Sequence, residues 1–257
     1  AIEMANQLLF FLLAAFSCLW VAFSFSSLPI GNALKSRESG ALFLRNGPAP
    51  PQMGLIDNWF SKGKAEPDMN ASRANELKEK LRSLSKNTKN GTQASPSLQK
   101  EIEDTAKELN KLNPTKNPAK SALLAGRWRL LYSTVPGPSS GRLGPFVANV
   151  FQKIDLNANR IYNQLELGPE WALRGALEAD SEILDGQTWA ITFDFVYNSF
   201  IGNEIQRKKF GKDIERRIWT MTYLDESFRV LYGNQEGRSD EEPFIFIMER
   251  AAPAATS

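Results

Sequence analysis

The stretch Thr222-Tyr223-Leu224-Asp225-Glu226-Ser227-Phe228-Arg229-Val230-Leu231-Tyr232-Gly233-Asn234 decides the fold of this chain. Trp219, Met221 and Tyr223 alternate before a polar reversal at Asp225-Glu226-Ser227, and Phe228, Val230 and Tyr232 alternate after it. A period of two on both sides of a short polar turn predicts an antiparallel hairpin with one buried face. Outward from this hairpin the pattern recurs. Gly126-Arg127-Trp128-Arg129-Leu130-Leu131-Tyr132 predicts an opening strand with Trp128, Leu130 and Tyr132 on one face. Further strands are expected over 161–167, 171–178, 188–197, 218–223, 228–232 and 244–249. Many strands with turn-rich gaps and no helical pattern between them predict a closed or nearly closed antiparallel β-barrel, over 121–257.

Upstream the period changes. Leu77, Leu81 and Leu84 share a helical face, and Leu98, Ile102, Ala106, Leu109 and Leu112 form a second stripe. Ser95-Pro96 supplies an N-cap and a first-turn proline, and Asn113-Pro114 stops the second helix. The region 67–120 is therefore expected to be a pair of amphipathic α-helices covering one end of the barrel. Earlier still, Leu8 to Phe23 is almost continuously apolar, at a length suited to a signal-peptide core. The first 22 residues read as such a leader, with a single membrane anchor as the alternative. Residues 23–52 are Ser-rich, basic and acid-poor, the composition of a transit peptide. Residues 53–66 hold a short amphipathic segment, with Leu55, Ile56, Trp59 and Phe60 at helical spacing, and a linker.

Composition excludes several chemistries. Histidine is absent and the only cysteine is Cys18, so Ser–His, Cys–His and histidine-ligated metal sites are ruled out. No cofactor or metal is expected. A net charge of +2 gives no field that points to nucleic acid. What remains for enzyme chemistry is carboxylates, Lys, Tyr and Ser, and the balance tilts towards a binding protein.

The Tyr223-Leu224-Asp225-Glu226 turn followed by Arg229 and Gly233-Asn234 resembles the closing motif of the plastid lipid-associated proteins, or fibrillins. Leu123-Leu124-x-Gly126-x-Trp128-x-Leu130-Leu131-Tyr132, Gln152-x-Ile154 and Asn163 resemble the same family, over roughly residues 77–250. Gly126-x-Trp128 with an in-phase Arg250 also resembles the lipocalin pattern. That pairing predicts a floor closed by Arg250 over Trp128, a cation–π contact of about 0.5–2 kcal/mol. The resemblance implies plastids, thylakoid membranes or plastoglobules, and carotenoid or prenylquinone cargo. A signal core followed by a transit-like stretch is similar to two-part leaders of algae with secondary plastids.

An eight-strand barrel encloses either a packed core or one small ligand. Trp189, Ile191, Phe193, Phe195 and Tyr197 alternate along one strand and, with Trp128, Tyr132, Trp219 and Tyr223, are expected to line an apolar cup. The candidate ligand-binding residues are Tyr132, Asn163, Trp189, Phe193, Phe195, Tyr197, Trp219 and Tyr223, with Asn163 as polar anchor. Each ring has a purely packing alternative. Burying about ten methylenes gives about 8 kcal/mol, and association costs about 4 kcal/mol or more. Residues 136–145 are expected to form a mouth loop. The expected function is non-catalytic binding of a carotenoid, quinone or acyl lipid at a membrane or lipid-globule surface. The alternatives are a coat or scaffold with a filled barrel, and a lipocalin-like isomerase or cyclase. The acids placed by alternation, Glu166 and Asp194, face outward and disfavour the last.

Overall fold

Alternating apolar residues need a partner surface on one side of each strand, and a ring of strands gives every one of them such a surface. A computed structural model describes residues 69–143, 145–168, 173–201, 203–211, 216–238 and 240–252. The expected leader, transit-like stretch and 53–66 segment lie outside the described residues. Two helices, α1 (Met69–Ser85) and α2 (Pro96–Asn110), precede the strands. The strands are β1 (Gly126–Ser133), β2 (Arg142–Leu143), β3 (Phe146–Val147), β4 (Asn149–Asp155), β5 (Arg160–Leu167) and β6 (Leu173–Ile183). They continue with β7 (Thr188–Phe200), β8 (Asn203–Lys209), β9 (Arg217–Leu224), β10 (Phe228–Gln235) and β11 (Phe244–Arg250).

The order β6-β5-β4-β1-β11-β10-β9-β7 is closed into a ring by β6–β7 pairing, all antiparallel. The fold is thus a mainly-β, lipocalin-like barrel preceded by two helices. β7 pairs with β9 only over Thr188–Ile191; beyond that its free edge takes β8, a strand exposed along its whole length.

The helices lie against the side of the barrel, a correction to the expectation that they cover an end. Leu77, Leu81, Ile102, Ala106 and Leu109 are buried against Tyr132, Tyr223, Phe228, Val230, Ile245 and Ile247 on the outer face of β1, β9, β10 and β11. Ser95 caps α2 by accepting from the Leu98 amide at 3.3 Å. Lys78 reaches Asp225 at 2.6 Å and Arg82 reaches Glu249 at 2.9 Å. Asn113 and Thr115 bond the backbone of Leu224. This wall of the barrel is consequently buried on both faces, so the decisive hairpin has two buried faces and not one.

Three β-bulges set which rings point inward, because one extra residue moves the following side chains to the other face. Leu130 pairs with Met248 but Tyr132 with Ile247, so Leu131 is extra in β1. Met221 pairs with Leu231 but Tyr223 with Val230, so Thr222 is extra in β9. Phe193 pairs with Ala179 but Phe195 with Glu178, so Asp194 is extra in β7.

The floor is finished by two 3-10 turns, Pro118–Lys120 and Ala122–Leu124. The indole of Trp189 donates to Ala119 O at 2.8 Å, and that of Trp128 donates to Leu124 O at 2.9 Å. Arg250 lies over Trp128 at 4.0 Å and donates to the carbonyls of Leu123, Ala125 and Glu226. Gly126, at φ +111°, leaves the space; a Cβ there would stand 2.9 Å from Arg250 Nη1. Residues 134–143 and 145–148, with the β2–β3 pair, lie at the opposite end. There the Asn90 amide donates to Ser140 O and Ala148 O.

Candidate functional site in the barrel lumen

Eight strands present one face each to the lumen. Leu130, Val150, Ile154, Ile161, Leu165, Ala179, Ile191, Met221, Leu231 and Met248 form its apolar lining. Trp189, Phe193 and Trp219 join that lining, and Asn163 points inward beside Leu177. Gly233 permits this crowding: a Cβ there would meet Phe246 Cε2 at 3.1 Å and Trp219 Cδ1 at 3.3 Å.

Four of the expected lining residues stand elsewhere. Tyr132 and Tyr223 lie outside the barrel beneath the helices, because the bulges at Leu131 and Thr222 turn them over. The Tyr223 hydroxyl donates to Asp225 at 2.8 Å. Burial, with Glu103 nearby, pushes the Tyr132 phenol up to about 12. Phe195 and Tyr197 face outward past the Asp194 bulge, where Arg207 lies 4.6 Å and 5.4 Å from their rings. These four are therefore removed from the lumen.

The lumen also holds a polar strip. Gln152 Nε2 donates to Asn163 Oδ1 at 2.8 Å, and Gln152 Oε1 accepts from Arg229 Nη2. Arg229 is 0% exposed. Its guanidinium carbon lies 4.9 Å from the Trp128 ring, and Nη2 also contacts Met248 Sδ. Alternation counted from Phe228 places Arg229 opposite the buried face; the structure reverses this, with Arg229, Leu231 and Gly233 inward and Phe228 and Val230 beneath the helices. The adjacent pair Val230-Leu231, apolar on both faces, is the sequence signal of a doubly buried strand.

Glu166, Asp194 and Asp225 sit outside the lumen. Glu166 bridges Arg127 at 2.9 Å and Arg174 at 3.0 Å on the outer wall. Asp194 pairs with Arg160 at 2.8 Å. Asp225 accepts from the Ser227 and Phe228 amides at 2.7 Å each while holding Lys78. Among the described residues no cluster of acids could hold a metal ion.

Exposed apolar side chains stand at both ends, Ile183 and Leu184 where β6 finishes at the floor end and a larger set at the mouth. Phe146, Phe200, Ile201, Ile205 and Phe244 stand at that end, between 38% and 53% exposed. Arg207, Lys208 and Lys209 follow on β8.

This fold has counterparts among known proteins. The family model PAP_fibrillin matches residues 75–238, more than half of the chain. A probable plastid-lipid-associated protein 5, chloroplastic, from Arabidopsis thaliana is 25% identical over 166 residues, 63% of this chain and 67% of that protein. A probable plastid-lipid-associated protein 12, chloroplastic, from the same plant is 33% identical over 111 residues. That match spans 40% of this chain and 27% of the relative, about a quarter of its length. The chain belongs to the PAP_fibrillin family.

Proposed function

We propose that this chain is a non-catalytic plastid protein that carries an apolar metabolite in its barrel and works at a thylakoid or plastoglobule surface. The cargo class is a carotenoid, a prenylquinone or an acyl lipid. The observation that carries the reading is a closed eight-strand ring whose inner face is lined by Trp189, Phe193, Trp219, Leu231 and other apolar side chains. The names of the two relatives, both plastid-lipid-associated and chloroplastic, support the compartment and the lipid partner. The exposed apolar rim at the mouth suits insertion among lipid headgroups, and basic residues near an anionic surface add about 1 kcal/mol each. Arg207 contributes less, since Glu178 and Glu204 already engage it.

A catalytic reading needs an acid within reach of the cargo. Glu166, Asp194 and Asp225 are all committed to cations elsewhere. The competing reading is a coat protein with a filled barrel, favoured by one observation: Trp128, Ile161, Trp189, Ile191 and Met221 are each 0% exposed. Titrating plastoquinone or a carotenoid into the purified protein, with tryptophan fluorescence as readout, separates the two. The carrier reading predicts saturable quenching. Absence of quenching, while the protein still floats with liposomes of plastid lipid composition, identifies the coat.

A further inference from the structure

A buried guanidinium is rarely left without an anion. Removing an ionised group from water costs several kcal/mol, and native structures keep such groups paired. Arg229 departs from that rule. Its side chain is fully buried, and among the described residues it has no carboxylate partner and Nε and Nη1 have no hydrogen-bond acceptor. Among the described residues, Gln152, Met248 and the Trp128 face attend it. The neighbouring cation is already committed, since Arg250 spends its donors on three backbone carbonyls. Burial and the nearby charge of Arg250 push Arg229 down to about 9, so an anion is the group this position lacks.

We infer that Arg229 is the anchor for the head group of an acidic, long-chain amphiphile, whose carboxylate binds at the barrel floor and whose tail runs to the mouth. The inference rests on the proposed carrier function and narrows its cargo. The end-on fork of Nη1 and Nη2 gives one carboxylate two parallel bonds, which fills the orphan Nη1 and draws Nη2 from Gln152 and Met248. A diacyl phospholipid would have to bring a bulky head and two chains through an eight-strand ring. From Arg229 to Gln235 the wall offers six residue steps, about 20 Å of strand. That path passes Leu231 and Gly233, with Trp219 and Phe246 beside it. Entry displaces Met248 and Gln152, unbranched side chains that re-rotamerise readily. Gln152 Nε2 keeps its bond to Asn163 Oδ1, at 2.8 Å, when the Gln152 oxygen leaves Nη2.

The test compares palmitate, hexadecanol and methyl palmitate on the full chain, by tryptophan fluorescence and thermal shift, with Arg229→Gln and Arg229→Met beside the wild type. The anchor predicts that palmitate binds the wild type about tenfold or more tighter than either neutral analogue, as expected for charge-assisted bonds. It also predicts that both variants lose this preference while still binding the alcohol. Equal affinity for acid and alcohol in the wild type overturns the anchor but leaves the carrier function standing. If no probe, plastoquinone included, binds saturably, the carrier reading itself fails. The wild-type comparison decides the matter even if the variants do not fold.

Discussion

Asp225 concentrates the work of the closing motif in one carboxylate. It caps its own turn through the Ser227 and Phe228 amides and ties α1 to the barrel through Lys78. Burial acts to raise its pKa, but Lys78, the Ser227 amide and the Tyr223 hydroxyl outweigh it, and the net shift is downward. A depressed carboxyl stabilises the fold above its unfolded value of about 4 and loses that contribution as pH falls through the folded value. Asp225→Asn should therefore cost about 1.5–3 kcal/mol at pH 7 in denaturant unfolding. Its stability should also fall less steeply than the wild type's as the medium is acidified below about pH 4. The turn was legible in the sequence; its bond to Lys78 was not, since it joins residues far apart in the chain. Arg229 was legible only as a motif letter, because a strand buried on both faces offers no polar side from which to count.

At the scale of elements, strand positions follow closely from alternation, and facing directions follow only as far as the first bulge. Trp189, Ile191 and Phe193 point inward as read, and then Asp194, a charge inside an apolar run, turns Phe195 and Tyr197 out. Leu130-Leu131 marks the corresponding break in β1, where an apolar pair interrupts the alternation. Four strands escaped the reading, the two-residue β2 and β3 together with β4 and β8. β4 places polar Gln152 in the lumen and apolar Phe151 outside beneath Arg127, which blurs its period. β8 is polar and exposed throughout, and exists because the edge of β7 needs backbone partners once β9 has departed. The bulges make a direct prediction for cargo titrations. Trp219→Ala should weaken binding about tenfold or more, as for a buried aromatic contact, whereas Phe195→Ala and Tyr197→Phe should leave the affinity unchanged.

The molecule as a whole is a barrel with two unlike ends and one reinforced side. The floor is sealed by the 3-10 turns and by Trp128, Trp189 and Arg250; the mouth carries apolar side chains into solvent. Helices brace the β1–β11–β10–β9 wall, which also holds Arg229 on its inner face. A polar floor contact, an apolar shaft and a greasy rim suit a cargo taken head-first from a lipid phase. Photolabelling with a long-chain acid bearing a diazirine in its tail, followed by peptide mapping, tests this account most directly. Adducts are predicted on lumen-facing Trp219, Leu231 and Phe246, suppressed by excess palmitate. Adducts confined to the outer wall at Phe195 and Tyr197, or to the mouth rim, would contradict it.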